Sequence, residues 1–127
     1  MENKAISGMI GSREYPLKLS TNAVKEIKQR FSGVEKAINA LESESTSVFE
    51  RLELTVSLVS ILATHGARAY NFDHPEEPPI PDLPEETAGT ILTIADLNDI
   101  TPKIYAAFNE GVGRTVFSMP DDDSEKN

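Results

Sequence analysis

Six apolar residues, Val24, Ile27, Phe31, Val34, Ile38 and Leu41, recur at steps of three and four, and this ladder constrains the fold more than any other feature of the chain. The spacing sets all six on one helical stripe that must be buried, with Lys25, Glu26, Lys28, Gln29, Glu35 and Lys36 turned outward. Gly is a poor residue inside a helix, and Ser32-Gly33-Val34-Glu35 reads as a capping box. The stripe is therefore expected to belong to two short helices broken near Gly33. Ahead of it, Tyr15-Pro16-Leu17-Lys18-Leu19 alternates like a strand, and Ser20-Thr21-Asn22 offers a choice of N-caps where the period changes. Residues 4–10 are weakly β-like and Gly11-Ser12-Arg13-Glu14 reads as a turn, so residues 4–19 are compatible with a β-hairpin in which Pro16 faces an unpaired edge.

Further along, Ser47-Val48-Phe49-Glu50 offers another capping box, opening the longest expected helix over residues 48–69. Between residues 54 and 63 only Ser and Thr interrupt the apolar residues, so little of this helix is wetted and it is expected at the centre of the domain. Leu52, Val56, Val59 and Leu62 are expected to contact Ile27, Phe31 and Ile38 on one side and Ile104 and Phe108 on the other.

Residues 71–86, NFDHPEEPPIPDLPEE, hold five prolines and six acids, which exclude regular helix or ladder pairing and predict a stiff surface loop. Its PxxP spacing from Pro78 to Pro81 lacks the basic neighbour that an SH3-type ligand wants. Residues 85–92 are compatible with a short helix, and Leu97, Ile100, Ile104, Tyr105, Phe108 and Val112 predict a last amphipathic one, capped by Thr93 or Asp96. Pro102 kinks that helix or takes the first position of a restarted one, and residues 111–113, with two glycines, end it.

The expected fold is mainly α: a small helical domain of four to five helices over residues 1–117, with the N-terminal β-hairpin as an option. Residues 118–127, acidic and without an apolar period, are expected to form a disordered tail.

Charge and composition narrow the function. With 21 acidic and 12 basic residues the formal charge is −9, which disfavours nucleic acid and anionic lipid and suits a protein partner. A DNA-mimic inhibitor would need carboxylates spaced like phosphates, whereas these cluster at residues 76–86 and 121–125. Without cysteine there is no disulfide scaffold, thiolate zinc site or thiol nucleophile. The first twelve residues lack the apolar core of a secretory signal, and the apolar run over residues 54–63 is about half a membrane span, so a cytoplasmic location is expected.

No constellation argues for catalysis. His65 and His74 match no regular zinc spacing and read as exposed or helix-terminal residues. Asp121-Asp122-Asp123 with Glu125 lacks the alternation and central Gly of an EF-hand, and Gly111-Val112-Gly113 lacks the third glycine of a nucleotide cradle. No metal or cofactor is expected. Tyr70, Phe72, Phe117 and Met119 stand where a helix gives way to a polar segment, and read either as satellites of the core or as partner-binding anchors.

A Gly-x-x-x-Tyr-Pro-Leu-Lys-Leu run, then Ser/Thr-Asn-Ala and a helix ending in Arg-Phe-Ser-Gly before a second short helix, resembles the tail assembly chaperones of long-tailed siphophages and Gram-positive prophages. The residues that carry it are Gly11, Tyr15, Leu17, Leu19, Asn22, Ala23, Ile27, Phe31, Gly33, Ile38 and Leu41. Ile104-Tyr105-Ala106-Ala107-Phe108 with Gly111 is similar to the end of those proteins, so the resemblance spans most of residues 5–113.

What it implies is a non-catalytic protein of the bacterial cytoplasm that binds the tape measure protein and helps recruit the major tail tube protein. Such a chaperone is left out of the finished virion. A homo-oligomer is compatible with this. The alternative of another class is a structural tail completion or head-to-tail connector protein that stays in the particle.

Overall fold

The computed structural model describes residues 6–119. A two-stranded antiparallel hairpin, β1 (Ser7–Ile10) and β2 (Arg13–Pro16), leads into five helices: α1 (Thr21–Phe31), α2 (Val34–Glu42), α3 (Val48–Asp73), α4 (Glu85–Ile91) and α5 (Ile94–Val112). The register pairs Ile10 with Arg13, so the turn is Gly11-Ser12 alone, and Arg13 and Glu14 belong to β2 rather than to the turn. Gly11 takes a φ of 65°, which suits the first position of a tight hairpin loop. Residues 4 and 5 of the expected hairpin lie outside the described residues.

The break between α1 and α2 falls where expected, by a different device. Ser32 adopts a left-handed φ of 71° and closes α1 by donating its N–H to the Lys28 carbonyl. It therefore cannot serve as N-cap of α2; Gly33 takes that position with no side-chain cap, and the box with Glu35 does not form. Ser20 caps α1 by accepting from the Ala23 N–H, while the Ser47–Glu50 and Thr93–Asp96 boxes both close, at the starts of α3 and α5.

The 26-residue α3 runs about 39 Å and packs against β2, α1, α2, α4 and α5. Val59, Leu62, Ile27, Ile104 and Phe108 are all completely buried. Ile27 is buried as expected, but in the first turn of α1 Ala23 is buried in place of Val24, which is exposed. In α5 the buried line runs through Leu97, Ile100, Ile104 and Phe108, Val112 beyond it is exposed, and Gly111 lies against Leu19. This helix is continuous through Pro102 and ends at Gly113, whose φ of 85° makes the left-handed cap. Gly111 is still helical, and close packing explains it rather than termination.

Residues 16–19 run between α3 and α5 where both helices carry glycine. A β-carbon on Gly66 would stand 1.9 Å from the Pro16 carbonyl oxygen, and one on Gly111 would stand 2.7 Å from the Leu19 β-carbon. The Lys18 N–H donates to the Leu62 carbonyl at 3.1 Å, which ties this segment to the central helix. Leu17 and Leu19 are buried there.

Residues 74–84 form the expected surface connector, irregular and largely exposed, but residues 71–73 and 85–86 are helical and the connector is tied down onto α3. α3 extends to Asp73, past the expected end at residue 69, and the chain then returns along it as a strap with Leu83 in the core. Prolines leave few backbone donors, and those of Ile80 and Leu83 go to the Asn71 and Thr64 side chains, both at 2.9 Å. The Asn71 amide donates back to the Ile80 carbonyl, and Ser60 donates to that of Leu83. Arg68 clasps Asp82 with two nitrogens, at 3.1 and 2.8 Å. Ser60, Thr64, Arg68 and Asn71 thus form one polar line on α3 that holds the strap.

Candidate functional site

The four anchor candidates do not share a surface. Tyr70 sits in the last turn of α3, its ring stacked on His74 at 3.9 Å and its hydroxyl donating to Glu77, which holds its pKa above the ordinary value of 10.0. Phe72, the penultimate residue of α3, is 85% exposed. Phe117 is half-buried with its ring edge-on to Phe108 at 5.9 Å, and Met119 is half-buried in a crevice with Leu41, Leu52 and Tyr105. Leu52 and Phe72 are about 30 Å apart along α3, so Phe72 and Met119 mark opposite ends of the molecule.

Asn109 fixes the segment that carries Phe117. Its side-chain oxygen accepts from the Val116 and Phe117 N–H groups at 2.8 and 2.7 Å, and its amide donates to the Phe117 carbonyl at 2.8 Å. Residues 120–127, most of the expected tail and all of the acidic cluster with Glu125, lie outside the described residues.

The two histidines differ. His74 is exposed at the C-terminal cap of α3, as expected, but His65 is buried within α3, where its Nε2 lies 3.0 Å from Glu26 of α1. Glu26 is consequently half-buried rather than turned to solvent. Beside it Arg30 reaches Glu85 of α4 at 2.9 Å, and the Ser57 hydroxyl donates to the same carboxylate. Burial pushes the Glu85 pKa up, but Ser57 and Arg30 outweigh it and hold it below its ordinary value. These groups join α1, α3 and α4. Among the described residues no three His, Cys, Asp or Glu side chains cluster so as to hold a metal ion.

One opening is lined by none of the aromatic candidates. A groove of roughly 500 Å³ opens between α3 and α4, with Leu52, Val56 and Gly89 as its apolar lining and Glu53, Glu85 and Glu86 among its polar residues. Leu52 and Val56, expected in the core, are only partly buried because they face this opening. One turn before Leu52, on the same face of α3, Phe49 is 68% exposed and extends the apolar line. The signal in the sequence was the interleaving of Phe49, Leu52 and Val56 with Glu50 and Glu53, together with a glycine inside the Thr87-Ala88-Gly89-Thr90 stretch.

The residues that carry the sequence resemblance serve mainly in packing: Tyr15, Leu17, Leu19, Ala23, Ile27 and Ile38 are core. No helix among the described residues is long and apolar enough to cross a membrane. Comparison with protein-family models, curated proteins and solved structures finds no match.

Proposed function

We propose that the chain is a non-catalytic tail assembly chaperone of a siphophage or prophage. In this reading it binds the tape measure protein in the host cytoplasm, keeps that helical polymer from aggregating, helps recruit the major tail tube protein and is absent from the mature virion. The observation that carries the proposal is the open apolar groove between α3 and α4, continued by the exposed Phe49. A long amphipathic helical client needs such a face to cover its own apolar stripe, and a formal charge of −9 keeps the loaded complex in solution. The resemblance over residues 5–113 supplies the identity of the client.

Co-expression with the tape measure protein of the same phage tests it. The client is expected in the soluble fraction only when this chain is present, with many copies of the chain co-purifying. If apolar burial dominates, the complex persists in about 1 M salt, where charge interactions are screened within about 3 Å. An equally insoluble client with and without the chain would overturn the proposal. Recovery of the chain as a stoichiometric component of purified particles would instead favour a structural tail completion or connector role.

A further inference from the structure

We infer that the α3–α4 groove takes an amphipathic helix whose apolar ridge is flanked by lysine or arginine, and that Gly89 keeps the groove open for that ridge. The inference rests on the chaperone reading and names the chemistry of the client segment that is held.

Gly89 supplies the first line of argument. It stands inside the seven-residue α4, where glycine costs about 0.5–1 kcal/mol relative to alanine. Gly66 and Gly111 are explained by backbone or side chain within 3 Å of a would-be β-carbon. Gly89 has no such reason: a β-carbon there would meet only Val56 Cγ1, at 3.9 Å, an ordinary contact. Its φ is not in the left-handed region either. What the missing side chain provides is empty space over Val56, on the lining of the groove.

Charge supplies the second. Of the carboxylates in the groove, that of Glu85 is already engaged by Arg30 and Ser57. Those of Glu53 and Glu86 have no hydrogen-bond or ion-pair partner among the described residues, and both residues are exposed. Two uncompensated carboxylates beside an apolar lining favour a cation at the edge of whatever covers it and disfavour an acid. Phe49, Leu52 and Val56 span eight residues of α3, about 10 Å, which matches two turns of a helix presenting apolar residues at i, i+3 or i+4, and i+7.

The test uses the full chain and a fluorescent designed peptide of about 18 residues, with leucines on one face and lysines on both flanks, against a twin with glutamates in place of the lysines. Anisotropy titrations are expected to give at least about tenfold tighter binding of the lysine peptide. Gly89→Leu, which fills the groove, is expected to weaken it by about tenfold or more. The pair Glu53→Lys and Glu86→Lys, at exposed positions that leave the core intact, is expected to abolish the preference between the peptides. Glu110→Lys with a second exposed change, Asp73→Lys, gives the same charge change at the other end of α3 and is expected to leave the preference largely in place.

Equal binding of the two peptides, equal loss in both charge variants, or unchanged affinity with a folded Gly89→Leu would overturn the inference. If peptide binding fails in these ways while the tape measure protein is still held soluble, the groove assignment falls and the chaperone reading stands. If the peptide binds as expected but the client precipitates, the reverse holds.

Discussion

Gly66 faces the backbone of Pro16 so closely that a β-carbon at position 66 would stand 1.9 Å from the Pro16 carbonyl oxygen. The hydrogen in its place points at that oxygen, an approach that recurs where backbones pack without side chains between them. Because the Lys18 N–H donates to the Leu62 carbonyl one turn earlier, the segment cannot retreat from α3 without losing that hydrogen bond. Gly66→Ala is therefore expected to destabilise by about 3 kcal/mol or more, and Gly111→Ala, which meets Leu19, by about 1–3 kcal/mol. Chemical denaturation checks both. Gly89→Ala is the contrasting case: with room for its methyl group, it is expected to be neutral or to stabilise by up to about 1 kcal/mol.

Leu62→Ala removes a completely buried side chain from the middle of α3, and a loss of about 2–5 kcal/mol is expected, according to how far the site collapses. Leu52→Ala, from the same helix but bordering the open groove, is expected to cost less. Urea titrations with unchanged slopes would separate the two.

The two lowered carboxylates predict an acid sensitivity whose direction is fixed. Asp82, through the hydrogen bonds of Arg68, and Glu85, through Ser57 and Arg30 acting against burial, titrate below their ordinary values of 3.8 and 4.5. In the interval between each lowered value and the ordinary one, the unfolded chain binds more protons than the folded one. The stabilisation is thus complete above the ordinary values and is lost as pH falls through the lowered ones. Both pairs are substantially exposed, so the contribution is small and is screened by salt. Arg30→Ala leaves burial of Glu85 opposed by Ser57 alone, and its melting temperature is expected to fall less than that of the parent between about pH 5 and about pH 3. An unchanged pH dependence in the variant would refute this account.

Periodicity made the helices legible, because the burial of an apolar stripe is a local property of the sequence. The steps along Ile27, Phe31 and Ile38, the Ser47–Glu50 box and the run over residues 54–63 all led to the observed elements. What the pattern could not carry is the partner of a polar residue on a buried helix. Ser60, Thr64 and Asn71 could equally have faced solvent, and only the returning strap, with Leu83 in the core, gives them their role. The same limit hid the groove, since Leu52 and Val56 fit the core stripe by spacing and are left partly uncovered only by the position of α4. Glycine is ambiguous for a similar reason: Gly66, Gly89 and Gly113 are alike in sequence, yet one admits a backbone, one leaves space and one supplies a left-handed cap.

The last prediction separates folding from partner contact among the aromatic candidates. Phe117 rests edge-on against the completely buried Phe108, and Asn109 holds the backbone of Val116 and Phe117 with three hydrogen bonds. Phe117→Ser should therefore destabilise by about 1–3 kcal/mol, from lost apolar burial and the aromatic pair. Asn109→Ala should cost about 1–3 kcal/mol, because the Val116 and Phe117 N–H groups lose their acceptor together. Phe72 is 85% exposed and its truncation to Ser should leave stability within about 0.5 kcal/mol. Phe49→Ser should do the same, with its exposed ring beside the groove, so any loss of client solubilisation in either variant reads contact rather than fold. The groove assignment requires that Phe49→Ser weaken client binding and Phe72→Ser not; the opposite order, with both variants melting like the parent, would move the contact face to the other end of α3.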